Sequence, residues 1–303
     1  MSKRTASAVI IAFVVMVAAC GDTSGPTDVP SGQISVVATT SVLGDLVRNI
    51  VGDDAAVQVL IPVGADPHDY QPSARQVAAV AGADLVIANG LSLEEAIDDV
   101  LESAIGDGAN ILEIGPAVDP IERPGAEGEW DPHVWLDPLR MAEAAGVIGA
   151  ELSRLDSGVD WAAGAAAYAA ELRATNATIE ATLAAIALDE RLLVTNHESL
   201  GYFADRYGFE IVGTVIPGGS SLAAPSAGGL AALVEVMIDR GVPAIFAEST
   251  DSTVLAESVA AEAGHEIAVV EIYTGSLGEP GSGADTLLGL LVTNARRIAA
   301  ALS

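Results

Sequence analysis

Two α/β lobes, each built on a parallel sheet and joined by one long rigid helix, are the fold this chain predicts. Three observations carry that expectation. Short β-branched apolar runs alternate with stretches of helical period. The alternation occurs twice, with about four strands each time. Between the two sets, Trp161 to Leu188 is rich in alanine, has no proline and no glycine after Gly164, and carries charges at Glu171, Arg173 and Glu180. Strands separated by helices of roughly 8–17 residues indicate βα units, hence parallel pairing.

The elements follow in order. In the first half the expected strands are Ile34–Ala38, Val57–Ile61, Asp84–Ala88 and Asn110–Ile114, with helices at Val42–Val51, Ala74–Ala81 and Ser92–Ser103 between them. Asp137-Pro138 opens a further helix, Leu139–Leu155, with Asp as N-cap and Pro at the first helical position. The alanine-rich stretch follows as a helix of about seven turns. In the second half the expected strands are Leu192–Thr195, Glu210–Val215, Ala244–Ala247 and Ile267–Val270. The helices there are Leu200–Tyr207, Ser226–Asp239, Thr253–Ala263 and Thr286–Leu302. The predicted boundaries are an N-terminal lobe at 33–157, a connecting helix at 158–189 and a C-terminal lobe at 190–303.

Residues 1–20 read as an export signal. Lys3 and Arg4 form a basic start, and Ala6–Ala19 an apolar run. That run is shorter than the roughly 20 residues a spanning helix needs. It ends Val17-Ala18-Ala19-Cys20, which resembles a bacterial lipobox, with Cys20 the site of acylation. An ordinary signal peptide cut near Ala19 is the alternative. Cys20 is the only cysteine, which rules out an internal disulfide. Residues 21–32, GDTSGPTDVPSG, have almost nothing to bury and read as a flexible tether. Together these features predict an extracytoplasmic protein held to the membrane through a lipid on Cys20, facing a periplasm or the cell surface; a monomer is expected.

The formal net charge of −29 argues against nucleic acid as a partner, which requires clustered Lys and Arg. An acidic field also raises the local concentration of cations. Charge alone identifies no ligand.

The chemistry lies in the histidines. Three of the four stand in distinctive contexts: His68 in DPHDYQP, His133 in DPHVWLDP and His197 in VTNHESLGYF. His68 and His197 each follow a predicted strand, where open α/β sheets bind ligands. His133 precedes a helix. Neutral imidazole is the commonest ligand for borderline metals, so the three are candidate ligands of one site in the crevice between the lobes. Asp285 closes the Gly-rich loop GEPGSGAD before the last helix. It reads either as a fourth ligand or as an N-cap. Three imidazoles favour Zn2+, with Mn2+ or Fe2+ as alternatives, since manganese prefers more oxygen donors. Four protein donors would leave no open position, unlike hydrolytic zinc sites. Nothing matches H-E-x-x-H, so no catalytic role is expected. Glu248, at the end of the strand Ala244–Ala247, reads as a hydrogen-bonding partner for a ligand imidazole or as a plain loop carboxylate. Trp130, Trp135 and Tyr70 are expected to pack around the site, and His265 to be a surface or packing residue.

Five ordered segments carry a family resemblance over essentially the whole mature chain: 38–53, 63–76, 131–138, 194–209 and 275–294. DPHVWLDP is the most specific of them. The chain resembles the metal-specific solute-binding lipoproteins of ABC uptake transporters, which include zinc and manganese receptors. The resemblance implies His68, His133, His197 and Asp285 as metal ligands, delivery to an ABC permease, and little movement on metal release. Manganese receptors of that family commonly have an acidic residue where His197 stands. Two features depart from the pattern. Asp119–Glu129 holds Glu122, Glu127 and Glu129 where many zinc receptors have a His-rich loop, and is expected to be solvated. The loop at 217–225, PGGSSLAAP, is less acidic than the family's. A zinc-dependent hydrolase or a metal-containing surface adhesin are the competing readings from other classes.

Overall fold

A computed structural model describes residues 33–124, 126–264 and 267–303. The expected signal, lipobox cysteine, tether and His265 lie outside the described residues. The first half places β1 (Ile34–Ala38), α1 (Ser41–Val51), β2 (Ala55–Val59), α2 (Ala74–Gly82), β3 (Leu85–Ala88), α3 (Asp98–Gly106) and β4 (Ile111–Glu113) in order. Its four strands lie in the order β2-β1-β3-β4, every pair parallel. After α4 (Pro138–Leu155) and α5 (Trp161–Leu183), the pattern repeats with β5 (Leu192–Thr195), α6 (Gly201–Tyr207), β6 (Glu210–Thr214), α7 (Ala227–Arg240), β7 (Ala244–Glu248), α8 (Val254–Glu262), β8 (Ala268–Ile272) and α9 (Leu287–Ala301). The second sheet has the order β6-β5-β7-β8, again all parallel. The two-lobed α/β expectation is met.

The local reasons are visible in the sequence. Asp137 caps α4 by accepting from Leu139 N–H at 2.9 Å, with Pro138 at the first helical position. Ser73 and Gln76 form a reciprocal capping box on α2. In α5 the buried residues Trp161, Ala165, Tyr168, Leu172, Asn176, Ile179 and Leu183 recur every three to four positions, while Glu171, Arg173 and Glu180 face solvent. Gly164 lets this helix touch α1, since a Cβ there would lie 2.1 Å from Ile50 O. The expected seven-turn helix is shorter than predicted. It ends at Leu183, and a 3-10 turn at Leu188–Glu190 follows. The segment at 92–103 is also divided, into a 3-10 turn at Glu95–Ile97 and then α3.

One core runs through both halves. Val36, Leu46, Trp135, Met141, Leu172, Tyr202, Phe246 and Leu291 belong to the same buried cluster. Polar contacts cross between the halves as well. Trp135 Nε1 donates to Thr274 O at 2.7 Å, and the Tyr202 hydroxyl to Asp131 O at 2.7 Å. Arg206 on α6 grips the buried Asp137 carboxylate. In each sheet the chain winds in opposite directions from two adjacent strands, β1 and β3 in one, β5 and β7 in the other. Such points open a crevice beyond the strand ends, and the candidate residues gather there.

Candidate metal centre

Three loops deliver three imidazoles. His68 lies in the loop that follows β2, and Asp66 Oδ1 accepts its backbone N–H at 3.0 Å. His133 stands just before α4's leading turn, Val134–Leu136, and Asp131 Oδ1 accepts its N–H at 2.9 Å. The repeated Asp-Pro-His is therefore one device used twice: the aspartate folds the chain over proline and fixes the histidine two residues on. His197 leaves β5 almost directly. Its carbonyl accepts from Thr195 Oγ1 at 2.6 Å and from Ser199 N–H at 2.8 Å.

The rings converge. His68, His133 and His197 are each 1–2% exposed, and one nitrogen from each falls within 4.8 Å of the others. His133 Nε2 and His197 Nε2 are 3.1 Å apart. A carboxylate stands behind each ring. Asp131 Oδ1 is 2.7 Å from His133 Nδ1. Glu248 Oε1 is 2.7 Å from His197 Nδ1, out of line for a regular hydrogen bond, and takes the Ser199 hydroxyl at 2.9 Å. Glu95 Oε1 is 3.5 Å from His68 Nδ1. Outer carboxylates that hydrogen-bond an imidazole fix its tautomer and orientation; Asp131 does this for His133, while Glu95 stands too far from His68 to do so. Both nitrogens of buried His68 lack a hydrogen-bond partner, as does Nδ1 of His197. Buried polar atoms without partners carry a desolvation cost, which a divalent ion bound at one nitrogen of each ring would offset in part. The donor set fits such an ion.

Burial keeps the imidazoles of His133 and His68 below the ordinary range, and the charge of His197 adds to the effect. Burial would lower His197 too, but Glu248 overrides it and raises it. Glu248 itself is held at about 2: burial pushes it up, and His197 more than offsets that. Burial raises Asp131 to about 7. A metal bound by these rings would therefore compete with a proton at His197. Affinity should be full above the raised pKa of His197 and fall about tenfold per pH unit below it, one proton being displaced per metal. Chelator competition from pH 8 to 5 checks this; a flat profile would mean that no imidazole gives up a proton.

Asp285 is set apart from the three rings, which corrects the expected fourth ligand. Its side chain is exposed, and its carboxylate turns back to accept Gly281 N–H at 3.1 Å. Nor is it the cap of α9; Thr286 is. The part of this segment that reaches the first histidine loop is Thr274–Ser276. Ser276 Oγ accepts Gly64 N–H at 2.8 Å, and a Cβ on Gly275 would lie 3.2 Å from Pro67 and 3.3 Å from Thr250 Oγ1. Glycine brings no donor there. Trp135 is buried beside the site, its ring 5.3 Å from that of His133. Trp130 is 45% exposed and lines a cleft instead. Tyr70 is half-buried and accepts from Gln76 Nε2 at 2.8 Å. Glu129 of the acidic loop pairs with Arg123, which also holds Glu198 at 3.0 Å. Sequence reasoning missed Asp131 and Glu95. The Asp-Pro-His repeat pointed to the first; nothing local distinguished the second within SLEEA.

Residues 36–301 match the family described as zinc-uptake complex component A, periplasmic. The manganese-binding lipoprotein MntA of Halalkalibacterium halodurans is 30% identical over 305 residues, covering 100% of both chains. The zinc-binding protein TroA of Treponema pallidum is 30% identical, covering 90% of each. The solved structure of periplasmic zinc-binding protein TroA from Treponema pallidum superposes with a TM-score of 0.83 at 28% identity, covering 90% of this chain and 100% of that one. A Mn-bound periplasmic metal-binding protein from Candidatus Liberibacter asiaticus gives 0.79 at 26%, covering 89% and 100%.

Proposed function

This chain belongs to the periplasmic zinc-uptake component A family, and from that membership we propose that it captures Zn2+ outside the cytoplasm, on His68, His133 and His197, and hands it to the permease of an ABC importer. Members are metal-binding receptors of such importers, not enzymes. The exclusion of catalysis rests on the family, because three protein donors leave a coordination position open. Anchoring through a lipid on Cys20 and action as a monomer belong to the same proposal; among the described residues no helix is long and apolar enough to cross a membrane.

The observation that carries zinc is the donor set: three buried imidazoles, no carboxylate among the grouped ligand atoms, and a carboxylate behind each ring. Nitrogen donors at low coordination number suit zinc, whereas manganese selects oxygen-rich, higher-coordinate sites. The second reading is manganese, favoured by relatives named for it and by Glu95 as a nearby oxygen donor. Chelator-competition titration of the metal-stripped protein separates the two. One tight zinc per chain, with manganese at least a hundredfold weaker, is expected. Tight manganese with weak zinc overturns the donor argument and leaves the family standing.

A further inference from the structure

The three carboxylates behind the imidazoles are not equivalent. Asp131 and Glu248 are each 3% exposed at the side chain and closed in by protein. Glu95 is 38% exposed. It lines a cleft of about 390 Å3 that also reaches Pro132, the neighbour of His133, and exposed Trp130. Of the three carboxylates behind the rings, Glu95, at the His68 corner, is the one that reaches solvent. The ring it faces is 2% exposed and has no hydrogen-bond partner on either nitrogen.

The backbone ahead of Glu95 is built rather than loose. Gly90, Leu91 and Ser92 all have positive φ, at 72°, 56° and 58°, a conformation that leucine and serine rarely adopt. Glu94, 1% exposed, holds that turn: Oε1 accepts from Thr39 Oγ1 at 2.6 Å and Asn89 N–H at 2.7 Å, and Oε2 from Gly90 N–H at 3.1 Å. Asn89 in turn donates to Pro132 O at 2.8 Å. The Glu94 carboxylate thus ties the ends of β1 and β3 to the His133 loop and fixes where the next residue stands. Strain of this kind, held by surrounding contacts, is typical of ligand clamps.

We propose that Glu95 is the capture ligand: its carboxylate takes the hydrated cation from the cleft, replaces part of its water shell, and passes it to His68. This rests on the proposed metal-receptor reading. It adds a carboxylate on the route into the site. A flexible oxygen donor at a cleft is suited to the task, since a desolvating divalent ion needs an anionic partner before it reaches neutral rings.

The test is stopped-flow zinc binding to the full-length metal-free protein, with a fluorescent chelator reporting free zinc. Glu95→Gln should lower the association rate about tenfold and flatten its dependence on ionic strength. Glu95→Asp should keep part of the rate. Glu129→Gln, in the same cleft but paired with Arg123, should change it less than twofold. An unchanged association rate in Glu95→Gln overturns the proposal. So does a loss confined to faster dissociation, which would make Glu95 a resident ligand, or an equal effect of Glu129→Gln, which would make it general cleft charge. If the wild-type protein binds no metal, the receptor reading itself has failed, and that result is separate.

Discussion

His133→Ala should weaken zinc binding by more than about a hundredfold. Loss of an outer hydrogen-bonding partner alone costs roughly 10–100-fold in metal affinity, and His133 is placed to touch the ion itself. Its ring is 1% exposed, Asp131 fixes Nδ1 at 2.7 Å, and Nε2 lies 3.1 Å from that of His197. No other nitrogen is within reach to replace it among the described residues. Asp131→Asn should fall inside the 10–100-fold range, since the amide still accepts from the His133 backbone. Asp285→Ala belongs in the same chelator-competition series and should shift affinity less than twofold, because that carboxylate is exposed and satisfied by Gly281. Unchanged binding in His133→Ala would remove the histidine from the site. A drop in Asp285→Ala as large as that in His133→Ala would return the aspartate to it.

The difference between His133 and Asp285 shows what the chain made legible. Histidines after strand ends, each in a turn set by proline or by the strand itself, were readable because local chemistry fixes where they point. Alternation of β-branched runs with helical stretches likewise gave both sheets and their parallel sense. Asp285 was misread because its loop is long and rich in glycine: Gly278, Gly281 and Gly283 leave its direction to tertiary contacts. The turn of that segment that reaches the histidines comes earlier, at Gly275, which has nothing to donate. Glu95 was missed for the complementary reason. It lies inside the expected helix Ser92–Ser103 with nothing in its local sequence to single it out, and its role depends on a left-handed turn at 90–92 that no residue pattern announces. Leu91 and Ser92 are unusual choices for it; Glu94 holds the backbone just before them, at Asn89 and Gly90.

Asp137→Ala should be the most destabilising single change outside the apolar core, and it bears on why the site holds its shape. Asp137 is fully buried, caps α4, and meets Arg140 at 2.6 Å from its own helix and Arg206 at 2.6 Å from α6 in the other half. The pair of arginines matters more than the charge alone. Removing the carboxylate leaves two guanidinium groups close together, Arg140 9% and Arg206 30% exposed, and breaking a buried pair costs up to roughly 3–5 kcal/mol. Loss of the cap adds about 1 kcal/mol. At roughly 2–4 °C per kcal/mol for a chain of this size, the melting temperature of the metal-free protein should fall by about 10 °C or more. Asp137 lies four residues past His133, and its Arg206 contact fastens the His133 loop to the second half. Metal affinity should therefore fall as well, by less than in His133→Ala, while Arg206→Lys should lose bidentate geometry with a smaller drop in melting temperature. A melting temperature unchanged in Asp137→Ala would show that the shared apolar core and the remaining polar contacts between the halves, such as Trp135 with Thr274, hold them without this clamp.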